Sequence, residues 1–112
     1  MINADITLDS CGVLREVSTS GHSGYSHNGS DIVCAAVSAF VETGYILLRK
    51  ILADNVTLVT DTADAAKNEM TYRIGYYPDE LTQQMQGITL YLITGLTEIQ
   101  RQYEANIRVN IK

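Results

Sequence analysis

Apolar and polar positions alternate at the start of the chain, where Ile2, Ala4, Ile6 and Leu8 are separated by Asn3, Asp5 and Thr7. A period of two puts the apolar side chains on one face of an extended segment, which predicts a half-buried strand. Asp9-Ser10-Cys11-Gly12 supplies turn residues, and Val13 to Val17 reads as the returning arm of a hairpin. Then the alternation stops. From Ser18 to Ser30 nearly every residue is small or polar, so this stretch has little to bury and reads as a loop.

Asp31 opens a proline-free apolar segment that runs from Ile32 to about Leu52. Val33, Val37, Phe40, Val41, Ile46, Leu47 and Leu48 leave few polar positions, which predicts a helix buried over much of its circumference. Asn55 to Thr60 and Thr71 to Tyr77 read as strands, the second ended by Pro78, the only proline. A second helix is expected from about Asp79 to Tyr103, with Leu81, Met85, Ile88, Leu92, Ile99 and Tyr103 on its core face. Gly87, Tyr91 and Gly95 share another line, where the glycines would admit a neighbouring backbone. Leu90, Ile93 and Leu96 extend the apolar surface beyond the core stripe. A small domain cannot cover them alone, which points to a homodimer. Ile107, Val109 and Ile111 alternate with polar residues as a last strand. The expected fold class is α+β: one two-layer domain over residues 1–112, a mixed sheet with two long helices packed on it, in the order β-β-α-β-β-α-β.

Composition narrows the function. With 46% hydrophobic and 19% charged residues in 112, the chain suits one folded core rather than a disordered segment. Thirteen acidic against eight basic residues give a net charge of −5 with no basic cluster. That disfavours direct nucleic acid binding and would steer a basic protein partner instead. No apolar run approaches the ~20 residues of a membrane span, so no membrane association is expected. The first residues lack the features of a secretory signal, so a cytoplasmic location with reduced thiols is expected. A disulfide between Cys11 and Cys34 is therefore not expected. The spacing of the two cysteines and two histidines matches no zinc pattern, so no metal or other cofactor is expected either.

Chemistry concentrates where the loop enters the first helix. Cys34 falls within about the first turn, where unpaired N–H groups and the helix dipole favour a thiolate. His22 is within chain reach, and closing the intervening loop costs on the order of 2 kcal/mol. An imidazolium there would stabilise the thiolate, and the early helix amides would donate to an oxyanion, which suits acyl transfer. Plainer roles compete. A cysteine in an Ala- and Val-rich helix is commonly a small buried hydrophobe, and a histidine in a Ser/Gly loop is commonly solvated. Asp31 is most simply the N-cap, accepting from the amide of Val33 or Cys34, a role that can coexist with orienting His22. Ser38, one turn after Cys34, is either a hydrogen-bonding support or a packing residue. His27 reads as a surface residue and Cys11 as an incidental turn thiol. A Gly-rich loop before a helix also suits a phosphate, but the P-loop lysine and its following Ser/Thr are absent.

Gly21-His22-Ser23-Gly24-Tyr25, a short spacer with Gly29, and Asp31-Ile32-Val33-Cys34-Ala35-Ala36-Val37-Ser38 together closely resemble the signature of the ribosomal-processing cysteine protease family Prp. The match is dense over about residues 21–39. The resemblance implies that Cys34 is the nucleophile and His22 its base. Gly21, Asp31 and Ser38 match motif positions as supporting residues, and Ser23, Gly24, Tyr25 and Gly29 belong to a substrate-binding loop. It further implies an endopeptidase that removes the short N-terminal extension of large-subunit ribosomal protein twenty-seven during ribosome maturation. Cleavage would follow a hydrophobic, aromatic-containing segment, and the enzyme would be a homodimer. Two departures stand out: Ser23 occupies a position where Ala is common, and the C-terminal region is less acidic than usual. The loop is expected to be mobile when empty and to order over an extended peptide. Two other functions fit the same residues: a non-catalytic ribosome-associated binding module, and a thiol redox sensor pairing Cys34 with Cys11.

Overall fold

The computed structural model describes residues 1–27, 31–59 and 68–112. Its strands are β1 (Ile2–Leu8), β2 (Leu14–Ser20), β3 (Val56–Leu58), β4 (Met70–Ile74) and β5 (Ile107–Ile111). Two 21-residue helices, α1 (Ile32–Leu52) and α2 (Thr82–Gln102), complete the expected element order. The sheet runs β3-β4-β2-β1-β5. It is mixed because β5 joins β1 in parallel, while every other pairing is antiparallel.

The alternation in β1 buries Ile2, Ala4 and Ile6 against the helices, together with Val17, Tyr72, Ile74 and Ile107 from the neighbouring strands. The opposite pleat is polar, and Arg73 meets its cross-strand neighbour Glu16 there at 2.5 Å. β2 runs further than its apolar pattern indicates. Ser18, Thr19 and Ser20, expected in the loop, pair with Asp5, Ala4 and Asn3 of β1. Ser18 and Thr19 pair with β4 as well, and the hydroxyls of Ser18 and Thr71 hydrogen-bond at 2.8 Å. A strand flanked on both sides has its backbone groups satisfied, which sustains it through polar residues. β4 is shorter than expected. Beyond Ile74 the Gly75 amide turns to the Asn55 carbonyl at 2.6 Å, and Tyr76 is exposed. Thr60, expected to end the third strand, lies outside the described residues.

The helices are buried along stripes rather than all round. α1 buries Val33, Val37, Val41, Gly44, Leu48 and Leu52, but Ile32, Ile46 and Leu47 are exposed because the sheet and α2 cover only one side. Contrary to expectation, Ile32–Asn55 is long and apolar enough to cross a membrane by length and composition alone. Here its buried stripe builds the core. In α2 the stripe is Met85, Ile88, Leu92 and Leu96, with Thr89 among them. Leu96 was expected outside this stripe, but it lies one turn beyond Leu92 and is fully buried. Ile93 is partly buried, and only Leu90 of that trio is strongly exposed. The line of glycines also works differently from the expectation. A Cβ on Gly95 would overlap the Phe40 ring, so this glycine admits an aromatic side chain rather than a backbone. Phe40 in turn stacks on Tyr91 at 4.7 Å, tying α1 to α2.

Candidate active site

The end of β2 delivers the chain to Gly21, whose φ is +89°. A Cβ there would also lie 2.6 Å from the Met1 carbonyl oxygen, so this turn needs glycine on two counts. The Asn68 side-chain amide donates to the Gly21 carbonyl at 2.6 Å. His22 follows with its side chain exposed, and Ser23 turns inward to 2% exposure. Ser23 is polar on every side, and burial obliges each group to find a partner. Its amide donates to Cys34 Sγ at 3.3 Å, its hydroxyl donates to Asp31 Oδ2, and its carbonyl accepts from Asn106 Nδ2 at 3.0 Å. The Tyr25 amide returns to the Ser23 hydroxyl at 3.0 Å. These contacts tie the described part of the loop to the cap, the thiol and the turn before β5.

Asp31 caps α1 as expected, and does more. Its Oδ1 accepts from the amides of both Val33 and Cys34 at 3.0 Å, and its Oδ2 takes the Ser23 hydroxyl and the Ser26 amide. Burial opposes ionisation of this carboxyl. The donors from Ser23, Cys34, Ser26 and Val33 outweigh it and hold the pKa down at about 2. Asp31 is therefore a fixed negative charge at neutral pH. The same geometry corrects the expected oxyanion site: the Val33 and Cys34 amides are occupied by the cap.

His22, Gly24, Ser26, Asp31 and Cys34 surround one open cavity of about 180 Å³. Cys34 is partly exposed to it, with a free thiol. Ser38 and Gly21 line a neighbouring cavity of about 150 Å³ with Val37, Glu42, Asn68 and Met70, so Ser38 is placed beside the thiol's cavity rather than in it. Tyr25 is drawn aside, edge-on to Tyr103 at 5.5 Å. Gly29 lies outside the described residues. His27 is exposed, as expected. Cys11 is exposed on the β1–β2 turn, at the end of β2 remote from Ser20. Seven strand residues put roughly 20 Å between the two ends, well beyond disulfide reach.

A family model described as cysteine protease Prp matches residues 1–108. The chain belongs to the Prp family of cysteine proteases. Solved structures agree over all or nearly all of the length. One is the S. aureus ribosomal processing protease Prp in complex with a covalently linked product peptide, 27% identical, with a TM-score of 0.81 and 100% of both chains covered. The same S. aureus protease with a substrate peptide is 26% identical, with a TM-score of 0.76 and 100% of both chains covered. SMU.848 from Streptococcus mutans is 26% identical, with a TM-score of 0.78, and the match covers 99% of this chain and 93% of that one. No curated protein matches the chain. The α+β fold is thus the Prp fold.

The sequence placed Ser23 only in the Prp substrate loop, although it departs from the common Ala. The structure makes it the hub joining the histidine segment, the cap and the thiol. Asn68 and Asn106 carried no signal at all, because each reaches the loop from a distant part of the chain.

Proposed function

We propose that this Prp protease hydrolyses a peptide bond through a thioester at Cys34, with His22 as its general base. Its substrate would be the precursor of large-subunit ribosomal protein twenty-seven, which loses a short N-terminal extension. The observation that carries this reading is the shared cavity: thiol and imidazole line one open space at a helix N-terminus, with the Ser23 amide aimed at the sulfur. The thiolate attacks the scissile carbonyl carbon, and the C–N bond breaks as the imidazolium gives its proton to the leaving amine. His22 then takes a proton from water, whose oxygen attacks the thioester, and the thiolate leaves. The Asp31 charge by itself disfavours a thiolate, so stabilisation falls to the imidazolium and the Ser23 amide. Asp31 and Ser38 act as supports, and Gly24 lies along the substrate path beside the thiol.

The substrate assignment is supported by the description of the S. aureus relative as a ribosomal processing protease with peptide bound. A net charge of −5 also favours a basic protein. Intact-mass analysis should show the precursor trimmed at its N-terminus and casein left whole. A precursor with its aromatic residues changed to alanine should be cut poorly. An untouched authentic precursor would sink the substrate assignment, and equal digestion of casein would sink the narrow specificity.

The protease is also proposed to act as a homodimer. Its exposed apolar side chains include Ile46 and Leu47 on α1 and Leu90 and Tyr91 on α2, surface that a second copy would cover. Light scattering should give twice the 12.3 kDa chain mass, and a monomer at micromolar concentration would refute the association.

A further inference from the structure

We propose that Asn106 is a positioning residue for catalysis, acting on His22 through the carbonyl of Ser23. The inference rests on His22 being the base and adds what holds it in place. The imidazole is exposed, so side-chain packing does little to fix it, and its position follows from the backbone beneath. That backbone is held one peptide plane at a time. The Gly21 carbonyl accepts from Asn68, the Ser23 amide donates to the Cys34 sulfur, and the Ser23 carbonyl accepts from Asn106. These three groups belong to three consecutive planes, and His22 sits between the first two. Fixing the third stops the Ser23 amide from rotating off the sulfur and carrying the imidazole with it.

Asn106 is a rigid post for this work. Its own amide donates to the Tyr103 carbonyl at 2.8 Å, and its carbonyl accepts from the Ile2 amide at 2.9 Å. Tyr103 meets Tyr25 from the same block, so the end of α2 and the turn into β5 grip the loop at two points. The β1–β5 ladder is made by backbone groups and does not require the Asn106 side chain. A bond that the β1–β5 ladder does not use, made across 83 residues to the segment carrying the base, bears on the geometry of the site.

The test uses a Cys11→Ser background, so that iodoacetamide reports on Cys34 alone. Asn106→Ala should lower kcat on the precursor by about 10- to 100-fold with KM changed less than about threefold, since sub-ångström misplacement of a base acts on the chemical step. Alkylation of Cys34 near neutral pH should slow with it, because a displaced imidazolium stabilises the thiolate less. Asn106→Asp keeps the size but sets an acceptor against the Ser23 carbonyl, so it should be at least as impaired, and it carries the test if the alanine variant does not fold. Asn110→Ala, which removes a bond of equal 3.0 Å length to Asp5 from within β5, is the control and should match the parent in both measurements. A kcat within about threefold of the parent, a loss confined to KM, or an equal loss in Asn110→Ala would overturn the proposal. His22→Ala separates the two levels. If it stays active, the base assignment falls and the positioning role with it. If it is dead while Asn106→Ala is unimpaired, only the positioning role falls.

Discussion

Replacing Cys34 by serine is expected to lower kcat by roughly 10⁴-fold or more, the scale seen when a covalent catalyst loses its nucleophile. A serine hydroxyl at this position has the same neighbours, but its much higher pKa leaves almost no alkoxide, and the neutral hydroxyl is a far poorer nucleophile than a thiolate. The fold should survive, because Cys34 is only partly buried at the edge of the core and serine is nearly the same size. The Ser23 amide also keeps an acceptor in front of it. Turnover of the precursor and circular dichroism on the same sample check both halves. Wild-type turnover by Cys34→Ser would remove Cys34 from the nucleophile's role.

Gly21→Ala is expected to cost about a hundredfold in function without touching a reacting group. At φ +89° a side chain brings strain of roughly 1–3 kcal/mol. The new Cβ would also sit 2.6 Å from the Met1 carbonyl oxygen. Met1 cannot simply retreat, since the next residue, Ile2, is tied through its amide to the Asn106 carbonyl at 2.9 Å and enters β1. The loop must shift instead, and His22 is the next residue along. A displacement on the order of 1 Å there should reduce kcat by about 100-fold. The unfolding temperature should fall by roughly 4–15 °C, about what a loss of that size brings in a domain of this length. Parallel thermal melts and kinetics separate the two effects. Activity within about threefold of wild type would show that the turn tolerates a side chain and that His22 does not depend on its conformation.

How far the sequence carried varies with the kind of information each element needs. β1 and the start of α1 were legible because alternation and an Asp cap are local signals, and both stand where the pattern put them. Ser18 to Ser20 were misread because their strand character comes from neighbours on both sides, which no local pattern contains. Leu96 was misplaced by counting the core stripe across a turn that it in fact fills. At the site, His22, Asp31 and Cys34 were visible as a motif, and the structure sets them around one cavity. The oxyanion amides were a false lead, since a cap good enough to recognise is good enough to occupy them. Ser23, Asn68 and Asn106 act through contacts spanning 8 to 83 residues, and spacing along the chain says nothing of those.

The parallel pairing of β5 with β1 has a bearing on when this enzyme comes into being. Loop, cap and thiol are all made within the first third of the chain, yet the brace at Asn106 is translated 83 residues after the Ser23 it holds. At roughly 5–20 residues per second, that is a delay of about 4 to 17 seconds. Throughout it a growing polypeptide carries the thiol and the histidine but not the strand that finishes their alignment. The chain is therefore expected to reach full activity only after that brace has been made and seated.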